Sequence, residues 1–383
     1  MSPLRVAYVS VDPGVPVHGT KGASVHVQEL LRAWRRRGAE VRLYCTRTGD
    51  HVPADLADVP VTHVPVRGAK GDPAAREVAQ REAAAALTAA VLADGVDVVH
   101  ERYSLFSTVL ADVVAATGAT GLLEVNAPLV DEQAEHRELH DRAGAEAALR
   151  TQAVAADRVI AVSEPVAAWV RGHAPTARTR VCPNGVDVER ITPAPAVVAG
   201  RPVVTFVGTL KPWHGVSVLL QAAAVARRDW HVRVVGDGPE GPALRDLADR
   251  LRLDVDLRHA VPPEEVPGHL RGSHVAVAPY PSSADHYFSP LKVLEYAAAG
   301  LPVVASDVGQ MRALVRDGVT GLLVPPADVA ALAAAVDGLV SVPDRAARMG
   351  AAGRRHVEAS HTWHHVLDHA VDGLALAAEG AVA

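Results

Sequence analysis

Residues 4–11, LRVAYVSV, form an unbroken apolar run, which suits a strand buried in a parallel sheet. An amphipathic helix follows at 24–37 and another strand at 40–45. Together they make a βαβ unit and an α/β chain. An Ala-rich helix at 74–93, closed by Asp94-Gly95, and strands at 96–99 and 121–125 continue the alternation. Residues 131–155 read as one charged helix. Between Arg190 and Pro202 the periodicity is broken by Pro193, Pro195, Gly200 and Pro202, and it then restarts with strand 203–207, helix 217–227 and strand 232–235. The 383 residues exceed one typical core. The expectation is two parallel-sheet domains, 1–195 and 196–360, followed by a helical segment at about 361–383.

A net charge of -6 argues against a nucleic-acid partner, which would call for a basic surface. The dense basic run Arg35, Arg36, Arg37 ends a predicted helix, where cations suit the helix dipole. Cys45 and Cys182 belong to no C-x-x-C pair and read as reduced, buried thiols of a cytoplasmic protein. No apolar run approaches a membrane span, although peripheral membrane contact is compatible with this composition. Nothing in the pattern fixes an oligomeric state.

The stretch 285–306, DHYFSPLKVLEYAAAGLPVVAS, gathers the most chemistry. Ser289 reads as an N-cap, Pro290 as the first helical residue and Gly300 as a left-handed stop, giving a helix at 290–299. Lys292 and Glu295 share one face, while Leu291, Leu294 and Ala298 share another that can enter a core. A helix start with a lysine favours a phosphate or other anion, and Glu295 one turn on can accept from sugar hydroxyls. A capped surface helix with an ion pair fits the same spacing.

Other loops fall where ligands collect, beyond the carboxyl ends of strands. HGTKGAS places Lys21 between Gly19 and Gly22, allowing close approach of an anion. Strand 96–99 delivers His100, Glu101, Arg102 and Tyr103, with Glu101 and Arg102 also readable as a surface pair. Strand 121–125 delivers Glu124 and then Asn126. GTLKPWHGV offers Lys211 and His214. GDGPEG, at 236–241, spells a literal G-x-G-x-x-G with Asp254 and Asp256 downstream. It suggests a dinucleotide site but follows the second strand of its domain rather than the first. Asp254 and Asp256 also spell D-x-D, although outward carboxylates on a strand fit equally. His136 and His140, and the set His361, His364, His365 and His369 around Trp363, have spacings that can bind metal. The first pair lacks the remaining ligands of a zinc site and reads as a solvated face, and the second set reads as a packed aromatic helix with solvated histidines.

The segments GTLKPWHG, GDGPE and SPLKVLEYAAAG, with PNGVD and GLLVPP, resemble the family-four retaining glycosyltransferases of the GT-B fold, in particular members carrying SPLK before EYAAAG. The resemblance spans nearly the whole chain. It implies two Rossmann-like domains facing across a cleft, an acceptor-binding domain at 1–195 and a nucleotide-sugar-binding domain at 196–360, with the last helix crossing back to the first. It implies that backbone at Ser289, Pro290 and Leu291 holds the donor diphosphate, that Glu295 binds the ribose, that backbone near Val261 meets the base, and that Gly22 ends a loop across from the phosphates. Where many members have a second Glu, this chain has Tyr287. Where members have Arg and Lys in the first loop of the second domain, it has Thr209 and His214, and Lys211 is placed to substitute. A His214 meeting phosphate would favour its protonated form and make donor binding pH-sensitive near neutrality. Asn126 falls where a His is common, and can only hydrogen-bond.

The implied reaction is transfer, with retention, from a nucleoside-diphosphate sugar, UDP-sugar favoured, to a hydroxyl of a small-molecule or saccharide acceptor. Lys211, Lys292 and helix amides would stabilise the leaving diphosphate without metal or other cofactor. Asn126 would assist at the sugar, and no protein base is assigned. Lys21, Arg102, Tyr103, Glu124 and Asn126 are the acceptor candidates by position. A nucleotide-sugar epimerase on the same fold, an NAD-dependent dehydrogenase using GDGPEG, and a non-catalytic sugar-nucleotide binding protein are the alternatives.

Overall fold

A computed structural model of the chain describes residues 2–67, 71–193, 200–282 and 286–376. Its first sheet is built from β1 (Arg5–Ser10), β2 (Glu40–Cys45), β3 (Val61–His63), β4 (Val98–Arg102), β5 (Thr120–Val125), β6 (Arg158–Ala161) and β7 (Thr179–Val181). The order is β3-β2-β1-β4-β5-β6-β7, with every pair parallel. The second comprises β8 (Val203–Val207), β9 (His231–Val235), β10 (Val255–Arg258), β11 (Val275–Ala278), β12 (Val303–Ser306) and β13 (Gly321–Val324). Its order is β10-β9-β8-β11-β12-β13, again all parallel. The Val-rich runs form these strands because helices cover both faces. Val6, Ala7, Tyr8 and Val9 are all buried, as are Val275, Ala276, Val277 and Ala278. In helix Gly22–Arg36, Val27, Leu30, Leu31 and Trp34 form the buried stripe at i, i+3, i+4, i+7.

The residues group into two compact units, one of 1–184, 287–289 and 363–383, the other of 185–286 and 290–362. The expected boundary at 195/196, and Asp285 at the head of the SPLK stretch, lie outside the described residues. Strand order reverses between β1 and β4 in the first unit and between β8 and β11 in the second. The carboxyl ends of those strands are the ligand positions of an open parallel sheet.

Several local expectations change. The strand expected at 96–99 runs over Val98–Arg102, so His100, Glu101 and Arg102 lie within it. The helix expected at 131–155 is two, Leu129–His136 and Arg142–Ala155, so His136 and His140 do not share a helical face. The helix expected at 290–299 is Leu291–Ala298, and no side chain caps it. The Ser289 hydroxyl instead accepts from Asn184 N–H over 3.0 Å. Gly300 does stop that helix in the left-handed region, with φ 71°. Among the described residues no helix is long and apolar enough to cross a membrane.

Candidate functional site

In the second unit, the loop after β8 and helix Leu291–Ala298 meet at the strand-order reversal. Tyr296 seats the helix: its hydroxyl accepts from Val207 N–H over 2.7 Å. The lysine three residues into the SPLK motif is thereby carried inward. Lys292 is only 9% exposed, and its Nζ has no hydrogen-bond partner among the described residues. It lies 4.1 Å from the Phe206 ring centroid and 5.4 Å from that of Tyr280. A Cβ placed on Gly208 would stand 2.7 Å from Nζ, so the lysine head touches the bare backbone of the loop. Burial lowers its pKa to about 7, against the opposing pull of Glu295. Glu295 is half-buried. Burial raises its pKa, while the charges of Arg190 and Lys292 act the other way. This is a desolvated cation over two aromatic faces, with no anionic group bonded to it among the described residues.

Around it, His214 turns Nδ1 to the Thr209 carbonyl. Burial first, then Lys292, lower its pKa to about 4. Without an anion His214 is therefore neutral at pH 7, because burial disfavours its charged form and Lys292 adds repulsion; the expected protonated form is not that of the free protein. Thr209 is exposed, and Lys211 lies 5.4 Å from the exposed Trp213 ring. Leu291 and Val261 are half-buried and Pro290 is buried.

The G-x-G-x-x-G loop is absorbed by packing. A Cβ on Gly236 would lie 1.9 Å from Gly208 O, and one on Gly238 2.3 Å from Leu210 O. Leu210 N–H donates to Asp237 O over 2.9 Å, and the Asp237 carboxylate accepts from Ala260 N–H over 2.8 Å. These glycines let the loops after β8 and β9 lie against each other, which accounts for them by packing alone. Asp256 of the D-x-D pair is held by Arg233 at 3.0 Å and Arg258 at 2.7 Å. Of the terminal histidines, His361 precedes helix Trp363–Val371. Among the described residues no group of three or more His, Cys, Asp or Glu is arranged to hold a metal.

In the first unit, Glu124 is a buried hub. It accepts from Tyr8 Oη at 3.0 Å, Arg102 Nη1 at 2.7 Å and the Asn126 amide, with His26 Nε2 at 3.1 Å and His100 Nε2 at 3.6 Å. Burial pushes its pKa up, but His26, His100 and Arg102 outweigh that and hold it well below the usual range. Its oxygens are thus engaged by protein groups, and Asn126 is the neighbour they orient. Tyr103 is buried, with no partner for its hydroxyl among the described residues. Lys21 and Gly22 are exposed at the start of helix Gly22–Arg36. Tyr287 donates to Glu132. Glu101 is structural: it accepts from Leu110 N–H over 2.7 Å. Missed in the sequence were His26, Phe206, Tyr280 and Arg190. Only His26 left a signal, a histidine beside the apolar stripe of an amphipathic helix.

Two doubly wound units with polar groups gathered at the strand-order reversals are the architecture of the GT-B fold. Residues 20–190 match Glycosyltransferase Family 4, and residues 201–341 match Glycosyl transferases group 1. The chain is 33% identical to the D-inositol 3-phosphate glycosyltransferase of Geodermatophilus obscurus, over 98% of this chain and 90% of that protein. Among solved structures, Anabaena HepE in complex with UDP-glucose superposes with a TM-score of 0.73 at 18% identity, covering 97% of this chain and 99% of that one. Sucrose-phosphate synthase from Thermosynechococcus elongatus does so at 0.72 and 23%, covering 95% and 96%. The chain belongs to glycosyltransferase family 4.

Proposed function

We propose that the protein is a retaining glycosyltransferase that moves a sugar from a nucleoside-diphosphate donor, UDP-sugar first, to a hydroxyl of a small polar acceptor. The observation that carries this is Lys292, a buried ammonium with no hydrogen-bond partner among the described residues, set against the bare backbone of Gly208. A donor diphosphate is the group that would satisfy it, and charge developing on the leaving phosphate would be stabilised most where water is excluded. Lys211 adds a half-buried second cation, and Glu295 is offered for the ribose. The charge these lysines supply lets the reaction proceed without metal. The leaving phosphate takes the acceptor proton on the face it departs from, so no protein base is invoked. The relative named for D-inositol 3-phosphate makes a phosphorylated polyol the first acceptor class to try. Two buried free thiols suit a reducing, cytoplasmic setting.

A thermal-shift panel of UDP, GDP, ADP, dTDP and NAD against wild type and Glu295→Ala tests the donor. One diphosphate should raise the wild-type midpoint by mass action and lose that effect in the variant. A shift with NAD alone, or with none of the five, would overturn the reading.

A further inference from the structure

His26 is buried on helix Gly22–Arg36, and each of its ring nitrogens meets an oxygen. Nδ1 lies 2.8 Å from Asn184 Oδ1, and Nε2 lies 3.1 Å from Glu124 Oε1. The first oxygen is identified by the other side of the same amide. Asn184 Nδ2 donates to the Ser289 carbonyl over 2.7 Å, and a carbonyl can only accept. The face turned to His26 is therefore the amide oxygen. The second, Glu124 Oε1, already accepts from Arg102 Nη1 over 2.7 Å, as a carboxylate oxygen does. A neutral imidazole carries one N–H and one lone pair, so in this setting its lone pair would face an oxygen.

We propose that His26 is held as a doubly protonated imidazolium and serves as a positioning residue for transfer. Its two N–H groups tie Ser289, through Asn184, to the carboxylate that orients Asn126. The role rests on the transferase reading, in which Ser289 touches donor and Asn126 lies near the reacting sugar. Among the described residues, the groups around His26 do not take the second proton. His100 accepts from Trp34 Nε1 at its Nδ1 over 3.0 Å, so its own proton sits on Nε2, toward Glu124. Trp363 closes His26 edge-on, with ring centroids 4.7 Å apart, and carries no charge. The nearby Cys182 thiol is pushed up to about 12 by burial and stays neutral. Tyr8 is likewise kept neutral by burial beside Glu124. Loss of one His26 proton leaves a lone pair against an oxygen and loosens the Asn184–His26–Glu124–Asn126 chain.

The test uses the full chain labelled with ¹⁵N-histidine. At pH 7.5 the ring nitrogens of His26, assigned by their loss in His26→Gln, should both show attached protons in wild type, and only one should in Glu124→Gln. A single protonated nitrogen in wild type overturns the charge state. The kcat for the donor found by the panel is then followed against pH at saturating donor, which holds Lys292 protonated and keeps its titration out of the profile. Wild type should lose activity as His26 loses its proton. His26→Gln should have kcat lowered roughly tenfold or more, the size of one charge-assisted hydrogen bond, and lack that alkaline limb. A kcat within twofold of wild type, or an unchanged alkaline limb, overturns the positioning role. If His26→Gln does not fold, Asn184→Ala, which keeps the ring, is expected to show the same loss, and wild-type kcat in it overturns the role equally. If wild type turns over no donor, the transferase reading fails and the positioning role falls with it, while the ring-nitrogen result still decides the charge state.

Discussion

At the scale of single residues, Lys292 and His214 decide how the site answers pH. The Lys292 pKa, about 7, lies below its ordinary 10.5. Between those values the unfolded chain binds more protons, so stability of the unliganded protein rises as pH goes from 7 toward 10.5 and is lower below 7. Binding a nucleotide sugar, whose pyrophosphate diester does not titrate there, favours the protonated lysine. Donor affinity should be level below pH 7 and fall above it, by at most about tenfold per unit, with proton uptake on binding. Calorimetry in two buffers of different ionisation enthalpy reads this directly; equal heats in both at pH 8 would be the contrary outcome. Lys292→Met should abolish the donor shift. It should also leave the free protein at least as stable as wild type, by about 1–3 kcal/mol in urea unfolding, because an uncompensated buried charge is replaced by an apolar side chain of similar length.

At the scale of elements, the loops after β8 and β9 illustrate what a motif means once its neighbours are known. The GDGPEG string was legible and its dinucleotide reading was already weakened by strand position. That its glycines admit the Gly208–Leu210 backbone was not legible, because close approach of two loops distant in sequence leaves no periodic trace. Gly236, with φ 145°, should not accept alanine. Gly236→Ala is expected to cost about 2 kcal/mol or more and to weaken donor binding, since it displaces the loop under Lys292. Urea denaturation and the same nucleotide titration measure both, and near-wild-type values in the two would contradict it. The helix Leu291–Ala298 tells a similar story. Its extent was nearly readable from Pro290 and Gly300, whereas Ser289 looked like its cap by residue type. In the fold the Ser289 hydroxyl accepts from Asn184, a partner 105 residues away. Tyr296→Phe, which leaves Val207 N–H without its acceptor, should cost about 1–3 kcal/mol. A cost under 0.5 kcal/mol would show that the hydroxyl does not hold the helix on the sheet.

On the scale of the whole molecule, the first unit is discontinuous in sequence and takes in the terminal helix Trp363–Val371. Trp363 and Leu367 are buried there, Asp368 pairs with Arg37, and Arg180 donates to the His369 carbonyl over 2.6 Å. Ending the chain after Thr362 should therefore destabilise that unit by several kcal/mol, the loss of a buried Trp alone being about 3–5. An unchanged unfolding midpoint would mean the helix contributes nothing. Alternating Val-rich runs and amphipathic helices determined the parallel α/β architecture without help, since burial on both faces writes itself as continuous apolar segments and helix crossovers write themselves as a 3.6-residue stripe. The loops carrying Lys211 and Asn126 and the short helix carrying Lys292 and Glu295 were likewise legible, because turn chemistry and helix-stop residues are local. Only the tertiary structure decided the states of those groups: that Lys292 is desolvated over Phe206 and Tyr280, that Glu124 is filled by Tyr8, Arg102 and two histidines, and that His26 faces two acceptors. Charge and hydrogen bonding depend on distances between residues far apart in the chain, and no local pattern encodes those distances.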